Sequence, residues 1–304
     1  MNYELIIMIS ASNMDILAMS IPYICENIRP AKIIGISALK FKAIIESYGI
    51  DFLDEDKIID GLTYDSIKKL ICKKGGNSKR TGWYFQQFLK YAYSYVASTD
   101  YYITWDADTI PLNRVDYFSD GKPSFIIKKE YHKAYFRTLN KLFDGQVFRV
   151  DKNISFIAEN MVFSKKIVQE IIAYMENINV QGEKFYEKIL FSIDIKDLEC
   201  GFSEFETYGN YVELKYPNLY QKKQMRTLRD AAIIIGHSPC FEQLNWLKKG
   251  YDIVSIENNN VSFSWLTKSK IFRDVVSAKI FVRFILGIRK IKRKVQRKEI
   301  ISYD

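Results

Sequence analysis

Cysteine is scarce in this chain, and its spacing excludes two common kinds of site. The 304 residues include four cysteines, with no C-x-x-C pair and no spacing typical of metal ligands. This pattern predicts reduced, mostly buried thiols of a cytosolic protein, rather than a disulfide framework or a zinc site. The four positions are Cys25, Cys72, Cys200 and Cys240.

Long apolar runs are missing as well. No stretch reaches the roughly 18–20 apolar residues that a helix needs to span a bilayer. The first nine residues carry Glu4 and have no basic start, so they predict a buried strand and not a signal peptide. Internal repeats and low-complexity linkers are also absent. With 48% hydrophobic residues, a chain of this length predicts one large α/β domain, alone or with an appendage.

Positive charge is in excess only near the C-terminus. From Thr267 onward there are 12 Lys or Arg residues and three acidic residues, which accounts for the whole formal charge of +9. Residues 1–266 are balanced, with 33 basic and 33 acidic side chains. Such an asymmetry is typical of an interaction segment. We therefore predict a main domain over 1–255 and a basic tail over 256–304, divided near Asn258-Asn259-Asn260.

The tail has the pattern of a basic amphipathic helix over residues 267–298. Its apolar residues recur at three- and four-residue steps, at Ile271, Val275, Ala278, Val282, Ile285 and Ile288. The surrounding basic residues are Arg283, Arg289, Lys290, Lys292, Arg293, Lys294, Arg297 and Lys298. A helix of this kind suits an anionic membrane surface, although it could instead pack on the main domain. No aromatic-basic platform accompanies the charge, so we expect no nucleic-acid partner.

Strand patterns alternate with helical patterns along the main domain. This alternation predicts βαβ units and a mostly parallel sheet. The predicted strands cover residues 3–9, 32–37, 50–53, 101–104, 124–128, 154–158 and 231–235. The predicted helices cover residues 14–29, a segment ending at 48, 83–92 and 165–177.

The most informative motif is Trp105-Asp106-Ala107-Asp108, directly behind the strand pattern of residues 101–104. Two carboxylates at positions i and i+2 can both turn toward one point at the carboxyl end of that strand. Ligands bind at this edge in open α/β sheets. Hard divalent cations prefer oxygen ligands and bind where carboxylates meet substrate phosphates. The alternative is a solvated turn after a strand.

Three blocks in this order resemble a family of bacterial GT-A-type glycosyltransferases of surface-polysaccharide biosynthesis. They are residues 82–90, 105–112 and 202–209, and the resemblance extends over about residues 3 to 250. It implies an α/β fold of the GT-A (Rossmann-like) type, with a mixed sheet flanked by helices. It also implies a nucleotide-sugar donor, with a UDP-sugar preferred, a divalent metal, and a growing glycan as acceptor.

Asp106 and Asp108 are the predicted ligands of Mn²⁺ or Mg²⁺. The resemblance adds a histidine late in the domain, and His237 has that position, in a Gly-His-Ser-Pro turn. A neutral imidazole is a sound ligand for Mn²⁺. His237 could instead be hydrogen-bonded to the backbone of its loop. The second histidine, His132, is flanked by charges and is predicted to lie on the surface or an acceptor-side loop.

Residues before the D-x-D motif are candidates for binding the nucleotide. Lys79 and Arg80 could reach the diphosphate, because guanidinium groups match phosphate oxygens bidentately; a solvated charged loop is the alternative. Gln87 and Lys90 lie three residues apart and could contact ribose or phosphate. Trp83 and Phe85 are predicted to be core. The resemblance implies that the loop after the first strand, with Ser10 and Asn13, holds the nucleoside.

An inverting transfer needs a carboxylate that takes the proton of the acceptor hydroxyl. Glu204 and Glu206 follow the D-x-D motif at the depth where the resemblance implies such a base. They would share a face of an extended segment but point apart on a helix. Glu159 is the rival. Each could instead be a structural carboxylate, and a retaining mechanism would need none of them.

The sequence therefore predicts a cytoplasmic, metal-dependent glycosyltransferase. We expect it to associate peripherally with the inner face of the membrane and to act on a lipid-linked glycan acceptor. Two other classes stay open. One is a non-catalytic protein that binds sugar nucleotides or glycans. The other is a nucleotidyltransferase, which would normally carry a glycine-rich phosphate loop near the N-terminus, whereas residues 10–15 contain no glycine.

Overall fold

The structure is a computed structural model that describes residues 2–257 and 262–301, with side chains as far as residue 290. The strands are β1 (Glu4–Met8), β2 (Lys32–Ser37), β3 (Asp51–Asp54), β4 (Tyr101–Asp106), β5 (Thr109–Pro111), β6 (Phe118–Ser119), β7 (Lys122–Ile126), β8 (Asn160–Ser164), β9 (Gln221–Lys223), β10 (Thr227–Leu228) and β11 (Ile253–Ser255). The helices are α1 (Met14–Asn27), α2 (Lys42–Ser47), α3 (Tyr64–Lys73), α4 (Thr81–Ala92), α5 (Lys133–Leu142), α6 (Lys165–Asn177), α7 (Phe185–Ser192), α8 (Glu204–Lys215), α9 (Ala231–Ile235), α10 (Phe241–Lys248), α11 (Ser264–Thr267), α12 (Lys270–Val275) and α13 (Ala278–Ile301).

Most of the predicted elements are confirmed. The strands predicted at 3–9, 32–37, 50–53 and 101–104 are β1 to β4, and the predicted helices correspond to α1, α2, α4 and α6. Two strand predictions are wrong. The strand predicted at 154–158 begins later, as β8, while Ser155 makes only an isolated bridge to Lys128. The run 231–235 is the short helix α9 and not a strand. The prediction was wrong because a fully buried apolar run of five residues has no periodicity that distinguishes a helix from a strand.

The chain divides into two compact units whose segments alternate in sequence. Unit one contains the described residues of Met1–Met14, Arg29–Ala107 and Asp116–Gln224. Unit two contains those of Asp15–Ile28, Asp108–Val115 and Met225–Asp304. The D-x-D motif crosses a boundary, with Asp106 in unit one and Asp108 in unit two. The predicted division at residues 258–260 lies outside the described residues, and a separate tail domain stays a prediction.

Unit one is built on a mixed five-stranded sheet in the order β3-β2-β1-β4-β8. The first four strands are parallel, and β8 runs antiparallel to β4. Every residue of β1 is buried, as expected for a central parallel strand covered on both faces. Helices α2, α4 and α6 contact β3, β1 and β8 respectively. This confirms the predicted α/β class, with a mixed sheet flanked by helices.

Unit one also contains the small sheet β6-β7-β9 and the helix α8. Phe156 packs directly on Gly209 of α8, where an added Cβ would lie 2.2 Å from the Phe156 ring. Glycine at this position therefore sets how closely α8 approaches the segment before β8. That approach fixes the position of the acidic first turn of α8.

Unit two has a core of its own around the sheet β10-β11-β5. Helices α9, α10 and α13 contribute most of its apolar side chains. From the predicted tail, Ala278, Val282 and Ile285 are buried in this core, so this face follows the alternative of a helix packed on the protein. Ile271 and Val275 are exposed instead. The basic side chains at 292–298 lie outside the described residues.

The cysteine prediction is wrong about burial. Cys25 and Cys72 are exposed, and Cys200 and Cys240 are half-buried, all four as free thiols. The Cys200 thiol lies 2.9 Å from the Tyr135 hydroxyl. Among the described residues, no helix is both long enough and apolar enough to cross a membrane.

Candidate functional site

The carboxyl ends of the strands of unit one meet at one edge of the sheet. The order β3-β2-β1-β4 places the switch in strand order between β1 and β4, which is where open α/β sheets bind ligands. The pairing of these strands puts Met8 beside Asp106. Because β8 is antiparallel, its beginning lies at the same edge, and the Asp106 N–H donates to the Glu159 carbonyl at 3.0 Å.

A cleft of about 920 Å³ runs along the carboxyl ends of β1, β2 and β3. We call it the β1–β3 cleft. Its size falls within the range typical of small-molecule sites. The loop after β1 contributes Ser10 and Asn13, which were predicted from the sequence. The lining comprises residues 8–13, Ser37, Ala38, Lys40, Phe41, Glu55, Asp56, residues 63–65, Gly82, Trp83, Phe85, Gln86 and Leu89.

Aromatic side chains form part of this lining. Tyr64, at the start of α3, is 42% exposed, and its ring meets Phe85 edge-on at 6.0 Å. Phe85 is core, as predicted. Trp83 is only half-buried and carries the Arg80 guanidinium 4.3 Å from its ring, so the prediction that it is core is wrong. A flat ligand can therefore meet an exposed aromatic ring in the cleft.

The charges in the β1–β3 cleft come from the turn after β3, from Asp65 in the first turn of α3 and from Lys40. Burial raises the pKa of Glu55 to about 7, and the nearby carboxylates of Asp56 and Asp54 add to the shift, against Lys40. Glu55 therefore changes charge near neutral pH. One carboxylate oxygen of Asp56 accepts a hydrogen bond from the Tyr64 N–H at 3.4 Å, which ties the turn to α3.

Asp106 belongs to a partly buried charged cluster with Lys90 and Glu204. The Lys90 ammonium, 3% exposed, donates to Asp106 Oδ1 at 3.0 Å and to Glu204 Oε1 at 2.8 Å. It also lies 4.3 Å from the centre of the Phe205 ring. Burial opposes the charge on Lys90, but the two carboxylates outweigh it and raise the pKa of Lys90. The ammonium is therefore charged, and it fixes one oxygen of Asp106.

Helix α8 supplies Glu204, and its first turn is held by α4. The Glu204 N–H donates to Gln87 Oε1 at 3.2 Å, and the Tyr91 hydroxyl donates to the Glu204 carbonyl at 2.8 Å. Gln87 is 3% exposed and also donates to the Trp83 carbonyl at 3.0 Å. Gln87 and Lys90, predicted as ribose or phosphate contacts, are thus buried side chains that join α4 to α8.

The other predicted bases are also buried. Glu206 is 2% exposed and accepts hydrogen bonds from Ser155 at 2.5 Å and Asn210 at 3.1 Å. Burial raises the pKa of Glu206, and these hydrogen bonds oppose the shift. Glu159 is 3% exposed and forms a short ion pair with Lys128. Since α8 is a helix, Glu204 and Glu206 diverge, and each has the partners of a structural carboxylate.

Lys79 and Arg80 shortly precede the cleft residues Gly82 and Trp83 in the sequence, but they do not line the β1–β3 cleft themselves. Lys79 is exposed, whereas Arg80 stacks on Trp83 and lies 3.9 Å from Glu199. The basic residue that does line the cleft is Lys40. The prediction of Lys79 and Arg80 as phosphate ligands therefore remains a prediction.

Unit two holds the remaining predicted site residues. Asp108 is half-buried, and the Thr109 hydroxyl donates to its carboxylate at 3.3 Å. The adjoining strand β5 is held by Ser20 of α1, which donates to the Thr109 carbonyl at 2.7 Å. His237 is exposed and follows helix α9, not a strand. His132, which belongs to unit one, is exposed too and lies 3.8 Å from Glu130, in agreement with its predicted surface position.

A metal ion requires ligands that are not fully engaged within the protein. Asp106 is suited to this role, because its side chain is 34% exposed and Lys90 holds Oδ1 only. A carboxylate oxygen is the donor that Mn²⁺ and Mg²⁺ prefer. Within the described part of the chain, no three His, Cys, Asp or Glu side chains cluster closely enough to hold a metal. The predicted ligand set of Asp106, Asp108 and His237 stays a prediction.

Several residues of this edge were not predicted to have the roles they take. Lys40 and Tyr64 line the β1–β3 cleft, and Lys128 pairs with Glu159. Lys40 carries a usable signal, since it follows β2 as Ser10 follows β1, at the same edge of a parallel sheet. The pairing of Lys90 with Glu204 joins residues 114 positions apart and has no local signal.

Comparisons with known proteins identify a family. The model of a family of unknown function, DUF6492, matches residues 40–265. No curated protein matches the chain. Among solved structures, it is similar to mouse xyloside xylosyltransferase 1 in its apo form, with 12% identity and a TM-score of 0.41 over 86% of this chain and 100% of that one.

Two further solved structures are similar at the same TM-score of 0.41. The apo WbbM bifunctional glycosyltransferase is 9% identical over 86% of this chain and 46% of that chain. The mannosyltransferase Ktr4p from S. cerevisiae, in complex with GDP, is 11% identical over 66% of each chain. Because the family model covers most of the sequence, the chain belongs to the family of unknown function DUF6492.

Proposed function

We propose that this protein is a glycosyltransferase that takes its sugar from a nucleotide-sugar donor, with a UDP-sugar as the preferred donor. One observation carries the proposal. An open cleft with polar and aromatic side chains follows β1, β2 and β3, and the first aspartate of the D-x-D motif ends the adjacent strand β4. A nucleoside in the cleft would place its diphosphate toward the switch point of the sheet, where Asp106 lies.

The cleft offers groups suited to each part of a nucleotide. We assign Ser10 and Asn13 to the ribose, because hydroxyl and amide groups exchange hydrogen bonds with sugar hydroxyls. The exposed face of Tyr64 would stack on the base. Lys40, which lines the cleft, would attract the phosphates. Lys79 and Arg80 would contribute only by moving toward the cleft.

A divalent ion, Mn²⁺ or Mg²⁺, would be held by Asp106 together with Asp108 and His237. When bound, it would neutralise the charge of the departing nucleoside diphosphate. The chain's own contribution is positional. Lys90 donates to Oδ1 of Asp106 and thereby orients its carboxylate, and Glu204 keeps Lys90 in place. We therefore reassign Glu204 from base to positioning residue.

The stereochemical outcome depends on whether a protein carboxylate takes the proton of the acceptor hydroxyl, as an inverting transfer requires. Glu159 directly precedes β8 at the edge of the sheet, and its carbonyl accepts a hydrogen bond from the Asp106 N–H. We propose Glu159 as the base of an inverting transfer, provided that Lys128 releases it. If Glu159→Gln, Glu204→Gln and Glu206→Gln each keep full activity, a retaining mechanism without a protein base replaces this assignment.

The acceptor we propose is a hydroxyl of a growing bacterial surface glycan carried on a lipid. The enzyme would work from the cytoplasm, attached peripherally to the inner membrane face through residues 267–298. The support is the charge of this segment, with 12 basic against three acidic residues from Thr267 onward. Anionic lipids attract such segments, and salt screens the attraction.

The test is a screen of nucleotide sugars for slow release of UDP, GDP or CMP without an acceptor. We expect release from one donor class, dependent on Mn²⁺ or Mg²⁺ and at least a hundredfold slower in Asp106→Asn. Asp120→Asn, in an exposed turn, is the matched control and should keep full activity. Nucleotide binding without release from any donor would favour a non-catalytic binding protein. Release of pyrophosphate from a nucleoside triphosphate and a sugar phosphate would favour a nucleotidyltransferase.

A further inference from the structure

The start of α13 carries two different apolar faces. Ala278, Phe281, Val282 and Ile285 are buried in the core of unit two. The second face is exposed, and it consists of Ile280 at 68%, Phe284 at 63% and Ile288 at 38% exposure. A helix that is apolar on only one side would bury that side and leave the other polar. The exposed apolar face therefore needs a second explanation.

The exposed residues form a stripe along the helix. Ile280, Phe284 and Ile288 follow one another at four-residue steps, so they share one side over about 12 Å of helix. We call these three residues the apolar stripe. Helix α12 adds two more exposed apolar side chains at the same step, with Ile271 at 78% and Val275 at 81% exposure. Isolated exposed apolar residues are ordinary, but a row of them marks an interaction surface.

A row of cations runs beside the apolar stripe. Lys279, Arg283 and Lys290 are exposed, and at 3.6 residues per turn they lie within about 40° of one another around α13. Around the helix, the order is thus buried apolar face, apolar stripe and basic row. The interface of an anionic bilayer has negatively charged headgroups outside an apolar acyl region. An apolar row bordered by cations complements such an interface.

We propose that the apolar stripe of α13 is the membrane-contacting surface, with the helix lying flat on an anionic bilayer. The stripe enters the acyl boundary, and the basic row meets the lipid headgroups. The buried face of α13 stays in the core of unit two, so the protein is attached through a rigid helix. This deepens the membrane attachment proposed above and moves the lipid contact away from Val282 and Ile285. It does not depend on glycosyltransferase activity.

The first test is co-sedimentation of the full chain with vesicles. Wild type should bind vesicles that contain phosphatidylglycerol, and bind pure phosphatidylcholine at least tenfold more weakly. I280S/F284S should lose at least tenfold in affinity for these vesicles, because it removes two apolar side chains that enter the bilayer. I195S removes an apolar side chain of similar exposure, 70%, from unit one and should bind as wild type does. Unchanged melting temperatures would show that the variants are folded, since both substituted side chains are mostly exposed.

The second test separates charge from apolar contact. K279Q/R283Q should lose about twentyfold in affinity at low salt and little at high salt, because each cation near the surface contributes on the order of fivefold. F284W should shift its emission to the blue on binding and be quenched by brominated lipids. Equal sedimentation of wild type and I280S/F284S would overturn the proposal. A second result would also overturn it: wild type forms a dimer, I280S/F284S is a monomer, and both bind vesicles equally. The stripe would then be a self-association surface.

Discussion

The two halves of the sheet edge in unit one are built in opposite ways. Along β1, β2 and β3 the edge is an open cleft with exposed or half-buried polar and aromatic side chains. At the ends of β4 and β8, charged groups are buried and paired, as Lys90 with Asp106 and Glu204, and Lys128 with Glu159. The open half has few fixed partners and is free to bind. The paired half is held in one geometry before any ligand arrives.

This difference teaches how the edge divides its work. A buried charge costs free energy unless its partners are in place, so each member of the Lys90 cluster depends on the others. A side chain in the cleft has no such dependence. Substitutions in the paired half should therefore change stability and geometry, whereas substitutions in the open half should change ligand affinity alone.

The largest effect should follow loss of the Lys90 ammonium. Lys90→Met leaves two carboxylates near one another without their shared cation, and we expect the free energy of unfolding to fall by about 3–5 kcal/mol. Lys32→Met is the matched control, because it breaks an ion pair with Asp51 whose side chains are 52% and 54% exposed. It should cost less than about 1 kcal/mol. Urea denaturation of both variants gives the comparison, and equal losses would contradict it.

A smaller effect is expected in the open half. Tyr64→Ala should weaken UDP binding about tenfold, because stacking on a base contributes about 1–3 kcal/mol. Tyr95→Ala removes a ring of similar exposure, 48%, from outside the cleft and should leave UDP affinity unchanged. Neither variant should alter the melting temperature much. If both weaken UDP binding equally in calorimetry, the cleft is not the nucleotide site.

The smallest effect is a pH dependence of nucleotide affinity. Burial raises the pKa of Glu55 to about 7, so its carboxyl group is neutral below that pH and ionised above it. The ionised form repels an anionic diphosphate, so affinity should fall about threefold between about pH 6 and pH 8. Glu55→Gln should remove this dependence. Glu46→Gln, at an exposed site outside the cleft, should keep it.

Much of the fold of unit one was predictable because its strands are short apolar runs separated by clear helical patterns. The sequences of β1 and β2 are nearly continuous runs of apolar residues, as is typical of buried parallel strands. The error at residues 231–235 has a physical cause. Five buried apolar residues fit a strand and a helix equally well, so the sequence of this run alone does not distinguish the two.

The candidate site was predictable where strand order alone determines it. Ser10, Asn13 and Asp106 follow parallel strands and therefore share one edge. The acids of α8 were not predictable in the same way. Whether Glu204 and Glu206 can serve as bases depends on burial, and on contacts with Lys90 and Ser155 that join distant parts of the chain.

The central claim is that Asp106 and Asp108 bind the diphosphate of a nucleoside diphosphate through a divalent cation. Calorimetry of UDP binding, with Mn²⁺ and with EDTA, tests it most directly. We predict that Mn²⁺ raises the UDP affinity of wild type at least tenfold, and that D106N/D108N, folded but with a lowered melting temperature because Asp106 pairs with Lys90, removes this gain. An unchanged UDP affinity in D106N/D108N, in Mn²⁺ as in EDTA, would contradict the claim.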